Sequence, residues 1–170
     1  MNVADIQAVV ASARARDTGS LERLIRRGDL SLPDVEVARR VDRALEIIDE
    51  LPVLMGRAEA RAEARGVSLA VVPILARAEE YFLRPVDLIP EMTQGLAGLV
   101  DDAYFAARLL HTLEQGPDPL LDEDLGEHLT FLRTLMDPEV ARRLDRLSVQ
   151  TLLETEKDLR DAWEEGAVDA

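Results

Sequence analysis

Apolar residues recur every three or four positions along most of this chain, the spacing of one face of an α-helix. The pattern predicts a helix capped by Asn2 and ended by Gly19, then a short helix capped by Ser20, and a third that begins near Ser31. Pro52 is expected to break or kink the third helix, because proline removes a backbone hydrogen bond. No segment shows the alternating pattern of a strand.

The second half of the chain continues with helical segments separated by glycine and proline. Helices are predicted over 53–65, 68–84 and 99–113, and the last of these carries its apolar residues on one face. Two more are predicted, over 121–136 and from the Asp137–Pro138 cap to Glu165, with Ser148 as a candidate break. The pattern therefore predicts an all-α, compact bundle of seven or eight helices in one domain of residues 1–170.

Composition supports helices and excludes several kinds of site. Only six aromatic residues are present, so the core must consist of Leu, Val, Ile and Ala, of which Leu and Ala are strong helix formers. No cysteine is present, which excludes disulfides, thiolate metal sites and cysteine nucleophiles. The sequence also lacks a glycine-rich phosphate loop, a G-x-S-x-G motif and an H-E-x-x-H motif, and no cofactor is expected.

The net charge of −14 is unevenly distributed. Residues 1–66 hold 11 arginines and 12 acids, whereas residues 67–170 hold 9 basic and 22 acidic residues. Such a surface repels phosphate backbones, so nucleic-acid binding is not expected. The longest central stretch without charge, 66–76, is too short to span a membrane, and the chain is expected to be cytoplasmic. Peripheral membrane association is kept as an alternative.

The stretch YFLRPVDLIPEMTQGLAGLVDD places four carboxylates around a stiff turn bracketed by two prolines. The turn is expected to join two helices into a central hairpin. Three of the carboxylates are explained as caps of the turn and of the next helix. Alternatively, all four form an oxygen-rich site for Mg²⁺, Mn²⁺ or Ca²⁺ that activates water for hydrolysis. The candidate metal ligands are Asp87, Glu91, Asp101 and Asp102.

The same residues resemble the signature of the YkvA-like domain, a bacterial domain of unknown function. The matching positions are Tyr81, Pro85, Asp87, Leu88, Ile89, Pro90, Gly98, Asp101 and Asp102. The resemblance covers about residues 45–115, and it implies a helical core there without implying an activity, cofactor or substrate. On this interpretation residues 1–44 form an N-terminal helical extension, and residues 116–170 form an acidic C-terminal one.

The two histidines and a row of arginines are further candidate binding residues. His128 lies four residues after Asp124, but no third ligand stands at a fixed spacing, so a zinc site is not favoured, and His111 with Glu114 has the same defect. Arg57, Arg61 and Arg65 recur every four residues beside glutamates. The pattern favours a solvated face of alternating charge over a phosphate-binding ridge.

The acidic C-terminal region carries an amphipathic pattern. Val149, Leu152, Leu159 and Trp163 follow helical spacing, with Glu156 interrupting them. Such a stripe either docks on the protein's own core or binds a partner. The sequence therefore predicts a non-enzymatic module that binds a protein partner or a second copy of itself, with metal-dependent hydrolysis as the rival.

Overall fold

The structure, a computed structural model, describes residues 2–83, 95–115 and 119–168, with side chains described as far as residue 158. These residues form seven α-helices and two 3₁₀ turns, and no strand occurs among them. The predicted all-α bundle is confirmed. The helices are α1 (Val3–Arg16), α2 (Ser20–Gly28), α3 (Asp34–Ala64), α4 (Ser68–Leu83), α5 (Leu99–His111), α6 (Leu125–Thr134) and α7 (Pro138–Val168), and the turns are Gly95–Gly98 and Thr112–Glu114.

Short polar side chains begin several of the helices. The side chain of Asn2 accepts a hydrogen bond from the backbone N–H of Ala4 at 3.2 Å, as its position before α1 predicts. Asp137 accepts from the N–H of Glu139 at 2.7 Å and starts α7 at Pro138. These caps satisfy backbone donors that the first helical turn leaves without partners. Ser20 is different, because Gly19 occupies the cap position of α2.

Helix α5 is the central helix of the fold. It packs against α3, α4, α6 and α7, and 11 of its 13 residues are buried. The sequence predicted an apolar face on this helix, but the structure buries it on nearly every side. Ala103, Ala106 and Ala107 are fully buried, and their small side chains let neighbouring helices approach closely.

Two predicted helix breaks do not occur. Helix α3 continues through Pro52, which is itself buried. Packing along a 31-residue helix compensates for the missing hydrogen bond. Helix α7 likewise continues through Ser148, whose hydroxyl donates to the carbonyl of Asp145 at 2.9 Å and so satisfies its polar atom inside the helix.

Helix α6 is shorter than the predicted segment 121–136. Leu120 and Leu121, 7% and 1% exposed, fill the core from the preceding loop instead of forming a helical face. The N–H of Leu120 donates to the carbonyl of Leu113 at 2.8 Å and fixes this loop. The helix then begins after Asp124, whose side chain accepts from the N–H of Glu127 at 3.3 Å.

Candidate functional site

The first turn of α5 buries two adjacent carboxylates. Asp101 is 6% exposed and Asp102 is 1% exposed, although aspartate is rarely buried in proteins. The ring of Tyr81 in α4 stacks on Phe105 with centroids 4.2 Å apart. Burial raises the pKa of Tyr81 well above its usual range, and the negative charges of Asp101 and Asp102 add to this. The acids therefore belong to the junction of α4 and α5, where the helix N-terminus favours negative charge.

The proposed metal ligands are only partly within the described structure. Asp101 and Asp102 are described, whereas Asp87 and Glu91 lie outside the described residues. Within the described ranges, no group of three or more histidine, aspartate and glutamate side chains is arranged to hold a metal ion. The four-carboxylate site therefore stays a prediction.

A polar cluster ties α5, α6 and α7 together. The hydroxyl of Tyr104 donates to Asp145 at 2.7 Å, and Arg133 donates both to Asp145 at 2.7 Å and to that hydroxyl at 3.0 Å. Arg108 lies 3.5 Å from the same carboxylate. Burial opposes ionisation of Asp145, but the hydrogen bonds from Tyr104 and Arg133 outweigh it and lower its pKa. The cluster joins three helices through Tyr104, Arg133 and Asp145, whereas the Nε atom of Arg108 is buried beside it and makes no hydrogen bond within the described residues.

The two buried tyrosines make a matched pair for testing this cluster. Replacing Tyr104 with phenylalanine is expected to lower the free energy of unfolding by about 1–2 kcal/mol, because it removes a hydrogen bond to a charged acceptor. Tyr81→Phe is the control, since the Tyr81 hydroxyl is buried and makes no hydrogen bond in the described part of the chain. Urea denaturation measures both variants. Equal losses would show that the Tyr104 hydroxyl contributes nothing specific.

Both histidines make structural contacts. The ring of His128 is hydrogen-bonded to the carbonyl of Asp124 at 3.1 Å and to the carboxylate of Glu50 in α3 at 3.0 Å. The ring of His111 contacts Glu114 at 2.7 Å, and the other oxygen of Glu114 accepts from the N–H of Leu125 at 2.8 Å. The two predicted pairs therefore help to position α6. His128 contacts α3 through Glu50, and His111 contacts Glu114, which in turn accepts from the first residue of α6.

The arginine row on α3 holds the loop before α6, which the sequence did not reveal. Arg57 pairs with Glu123, and Arg61 pairs with Asp122 at 2.7 Å. Arg65 adds a hydrogen bond to the carbonyl of Pro119 at 3.0 Å. The three arginines therefore bind the loop at residues 119–123. They form neither a purely solvated face nor an open phosphate-binding ridge.

Asp17 fastens the end of α1 to the Gly95–Gly98 turn. Its carboxylate accepts hydrogen bonds from the N–H groups of Gly19 at 3.0 Å and Leu96 at 3.0 Å, and from Ser20. The hydroxyl of Ser20 in turn accepts from the N–H of Ala97 at 3.0 Å. The sequence predicts a cap at Ser20 and no role for Asp17. The structure instead uses both to join segments almost 80 residues apart.

The fit at this junction explains one glycine. Gly95 has a φ of +81°, in the left-handed region that favours glycine. A Cβ at this position would overlap the carboxylate of Asp17 and lie 3.0 Å from the hydroxyl of Ser20. Burial opposes ionisation of Asp17, but its hydrogen bonds outweigh this and lower its pKa. The charged carboxylate of Asp17 therefore lies directly against position 95, where only glycine fits.

The outer side of α7 exposes apolar side chains. Val149 is 49% exposed and Leu153 is 61% exposed, whereas Leu152 is partly buried and packs against the core. Leu153 was not among the predicted partner-binding residues. The helix continues to Val168, but the side chains of Leu159 and Trp163 lie outside the described set.

Comparison of the chain with family models, with curated proteins and with solved structures finds no match. The resemblance to the YkvA-like domain therefore stays a prediction. Among the helices of the described residues, none combines the length and hydropathy needed to cross a bilayer.

Proposed function

We propose that this chain is a non-enzymatic protein-binding module whose docking surface lies on the outer side of α7. The observation that carries the proposal is the exposure of Val149 and Leu153, 49% and 61%, on a helix whose opposite side is buried in the core. Large exposed apolar side chains cost free energy in water, and they regain it when a partner covers them. A rigid helix that presents them is suited to helix-in-groove recognition.

The sequence extends this surface toward the end of α7. At about 100° per residue, five apolar residues fall within a sector of about 120° on the helix. We call them the α7 stripe: Val149, Leu152, Leu153, Leu159 and Trp163, of which Leu152 also packs partly against the core. Tryptophan is the residue most enriched among the dominant contacts of protein interfaces, so Trp163 is proposed as the anchor.

The charge around the α7 stripe favours a basic partner. Residues 148–170 contain seven acids and two basic residues, which gives a net charge of −5. Opposite charge at the rim of an interface accelerates encounter, whereas like charge suppresses wrong partners. A second copy of this acidic chain is therefore a poorer occupant than a different protein with a basic rim around an apolar groove.

The experiment places a photo-crosslinking amino acid at Leu153 of the full chain in its native host. The control carries it at Leu69, which is 77% exposed on α4 and lies outside the α7 stripe. We expect position 153 to crosslink one other protein that position 69 does not capture. Adding Val149→Asp should abolish the crosslink, since this residue is exposed and its replacement leaves the core intact.

Other outcomes of this experiment count against the proposal. Crosslinks only between copies of this chain would make the stripe a self-association surface. Identical products from positions 153 and 69 would show that the α7 stripe selects no partner. Removing the α7 stripe by truncating the chain at residue 148 would not test the proposal. Ser148 and Thr155 are buried at 1% and 4% exposure, so their loss would damage the fold as well.

Metal-dependent hydrolysis is the second candidate, and the adjacent buried carboxylates of Asp101 and Asp102 favour it, because carboxylate oxygens are the ligands that Mg²⁺, Mn²⁺ and Ca²⁺ prefer. A bound cation would stabilise the folded chain by mass action. The test adds Mg²⁺, Mn²⁺ or Ca²⁺ and measures the melting temperature. An increase in the wild type that disappears in Asp101→Asn would support this candidate, and no increase with any of the ions would remove it.

A further inference from the structure

One face of α4 exposes apolar side chains from the first turn of the helix to the last. Its exposed apolar residues are Leu69 at 77%, Val72 at 36%, Ala76, and Leu83 at 39% exposure. At about 100° per residue, these four positions fall within a sector of about 60°. We call them the α4 face. A contiguous row of apolar side chains left in water marks a surface that another molecule covers.

Neither the core nor α7 covers the α4 face. Leu75 and Ala78, which are fully buried, turn the opposite side of α4 toward the core. Arg77 lies about 110° around the helix from the centre of the α4 face, and it is the residue that reaches Asp158 of α7, at 3.8 Å. The α4 face is therefore a separate surface from the α7 stripe.

The α4 face lacks the acidity that separates copies of this chain elsewhere. Residues 66–76 contain no charged side chain, although the whole chain has a net charge of −14. In the second half of α4, Arg77 and Glu80 are 3.3 Å apart and offset each other, and Glu79 accepts from the N–H of Asn2 at 2.7 Å. The like charge that makes a second copy a poor occupant of the α7 stripe is therefore nearly absent here.

The charges along α4 are complementary to a second α4 that runs in the opposite direction. Alone among the described α-helices, α4 has no acidic residue in its first turn, where carboxylates stabilise a helix. Its last turn instead contains Glu80 and no basic residue, an arrangement that the helix's own dipole disfavours. In an antiparallel pair, Glu80 of each copy lies beside the first turn of the other helix and supplies the negative charge that this turn lacks.

We propose that the α4 face is the contact surface of a symmetric dimer, in which the α4 helices of two copies pack antiparallel and cross at Ala76. The small side chain of Ala76 lets the two helices approach closely, and Leu69 of each copy packs near Leu83 of the other. A helix of 16 residues is about 24 Å long, so the interface is small and the dimer reversible. The dimer leaves the α7 stripe open, and it does not depend on the partner proposed for that stripe.

Sedimentation equilibrium of the purified full chain, from about 1 µM to about 1 mM, measures this dimer, and we expect the wild type to pass from monomer to dimer within that range. Leu69→Asp should raise the dissociation constant at least about tenfold, because the two-fold axis places two unpaired carboxylates in an apolar contact. The matched control is Leu30→Asp, at a leucine 86% exposed between α2 and α3, which should leave the constant unchanged. Glu80→Gln should weaken the dimer roughly threefold, since the interaction with the helix dipole occurs twice, whereas Glu46→Gln, at a side chain 63% exposed on α3, should not.

The chain has no cysteine of its own, so single cysteine variants report the orientation of the two helices. In the antiparallel pair the two copies of residue 76 meet, whereas the two copies of residue 69 stand about 20 Å apart, too far for a disulfide. Under mild oxidation Ala76→Cys should form a covalent dimer rapidly, and Leu69→Cys should form one only as slowly as the exposed control Leu30→Cys.

Three outcomes would overturn the proposal. Equal rates of disulfide formation at positions 76 and 30 would show that the α4 face makes no specific contact between copies. Rapid disulfide formation at position 69 would show a parallel pair. A wild type that stays monomeric up to about 1 mM would exclude the dimer, and capture of a different protein by a photo-crosslinking amino acid at position 69 would then assign the α4 face to that protein.

Discussion

Replacing Leu109 with alanine should lower the free energy of unfolding by about 2–5 kcal/mol, the range for large-to-small substitutions in protein cores. Leu109 is fully buried in α5, the helix that packs against four others. The substitution removes apolar contacts and leaves a cavity that surrounding helices cannot fill without losing contacts of their own. Urea denaturation measures the loss as a lower midpoint with an unchanged slope.

The control for this prediction is Leu153→Ala on the outer side of α7. Leu153 is 61% exposed, so the same chemical change should alter stability by less than about 0.5 kcal/mol. The same variant should weaken partner binding if the α7 stripe is the docking surface. Comparable losses of stability at positions 109 and 153 would show that α5 is not the centre of the core.

The local features of the fold were predictable because their signals lie close together in the sequence. Asn2 and Asp137 cap the helices that follow them, and each contact spans only two residues. The failures at Pro52 and Ser148 arise from the same reliance on local signals. Both residues weaken a helix by themselves, but packing along α3 and α7 determines the outcome.

The all-round burial of α5 could not be derived from its own pattern. Its sequence shows an apolar face and two adjacent acids, which are typical of a half-exposed helix. Only the arrangement of α3, α4, α6 and α7 around it determines that the acids are buried as well. Hydrophobic periodicity predicts which residues share a face, but it does not predict how many neighbours a helix receives.

The candidate site shows the same limit. The spacing of Val149 and Leu152 placed an apolar stripe on the last helix, and the structure shows that Leu152 packs partly inward while Val149 is exposed. The pattern did not predict Leu153 because this residue directly follows Leu152 and, at about 100° per residue, lies at the margin of the face on which the other apolar residues fall. Its exposure became visible only when the covered side of α7 was known.

The hydrogen bond between Asp17 and Leu96 could not be predicted from the sequence around either residue. The substitution Asp17→Ala measures how much this contact contributes to the free energy of unfolding. The substitution removes the acceptor for Gly19, Ser20 and Leu96. We expect a loss of about 2–3 kcal/mol in the free energy of unfolding, because hydrogen bonds to a charged acceptor are among the stronger ones and the donors are left unsatisfied. Urea denaturation at neutral pH measures this loss.

The pH dependence of the loss identifies the carboxylate as its source. The folded-state pKa of Asp17 lies below its ordinary value, which is about 3.9 in an unfolded chain. The ionised group therefore contributes its full stabilisation above about pH 5, and this contribution is lost as the pH falls through the folded-state pKa. The difference in stability between wild type and Asp17→Ala should be constant near neutrality and should shrink below about pH 4.

Asp29→Ala provides a matched control, because Asp29, like Asp17, accepts hydrogen bonds from the N–H and the hydroxyl of a serine that follows it. Its bonds from the N–H and hydroxyl of Ser31, at 2.9 and 2.6 Å, stay within one exposed loop. Asp17 in addition holds Leu96, so Asp17→Ala should cost clearly more than Asp29→Ala. Equal costs would mean that the link between the α1–α2 junction and the Gly95–Gly98 turn adds nothing to the local turn. If the stability difference between wild type and Asp17→Ala stayed constant down to pH 2, the charge of Asp17 would not be what links the α1–α2 junction to the Gly95–Gly98 turn.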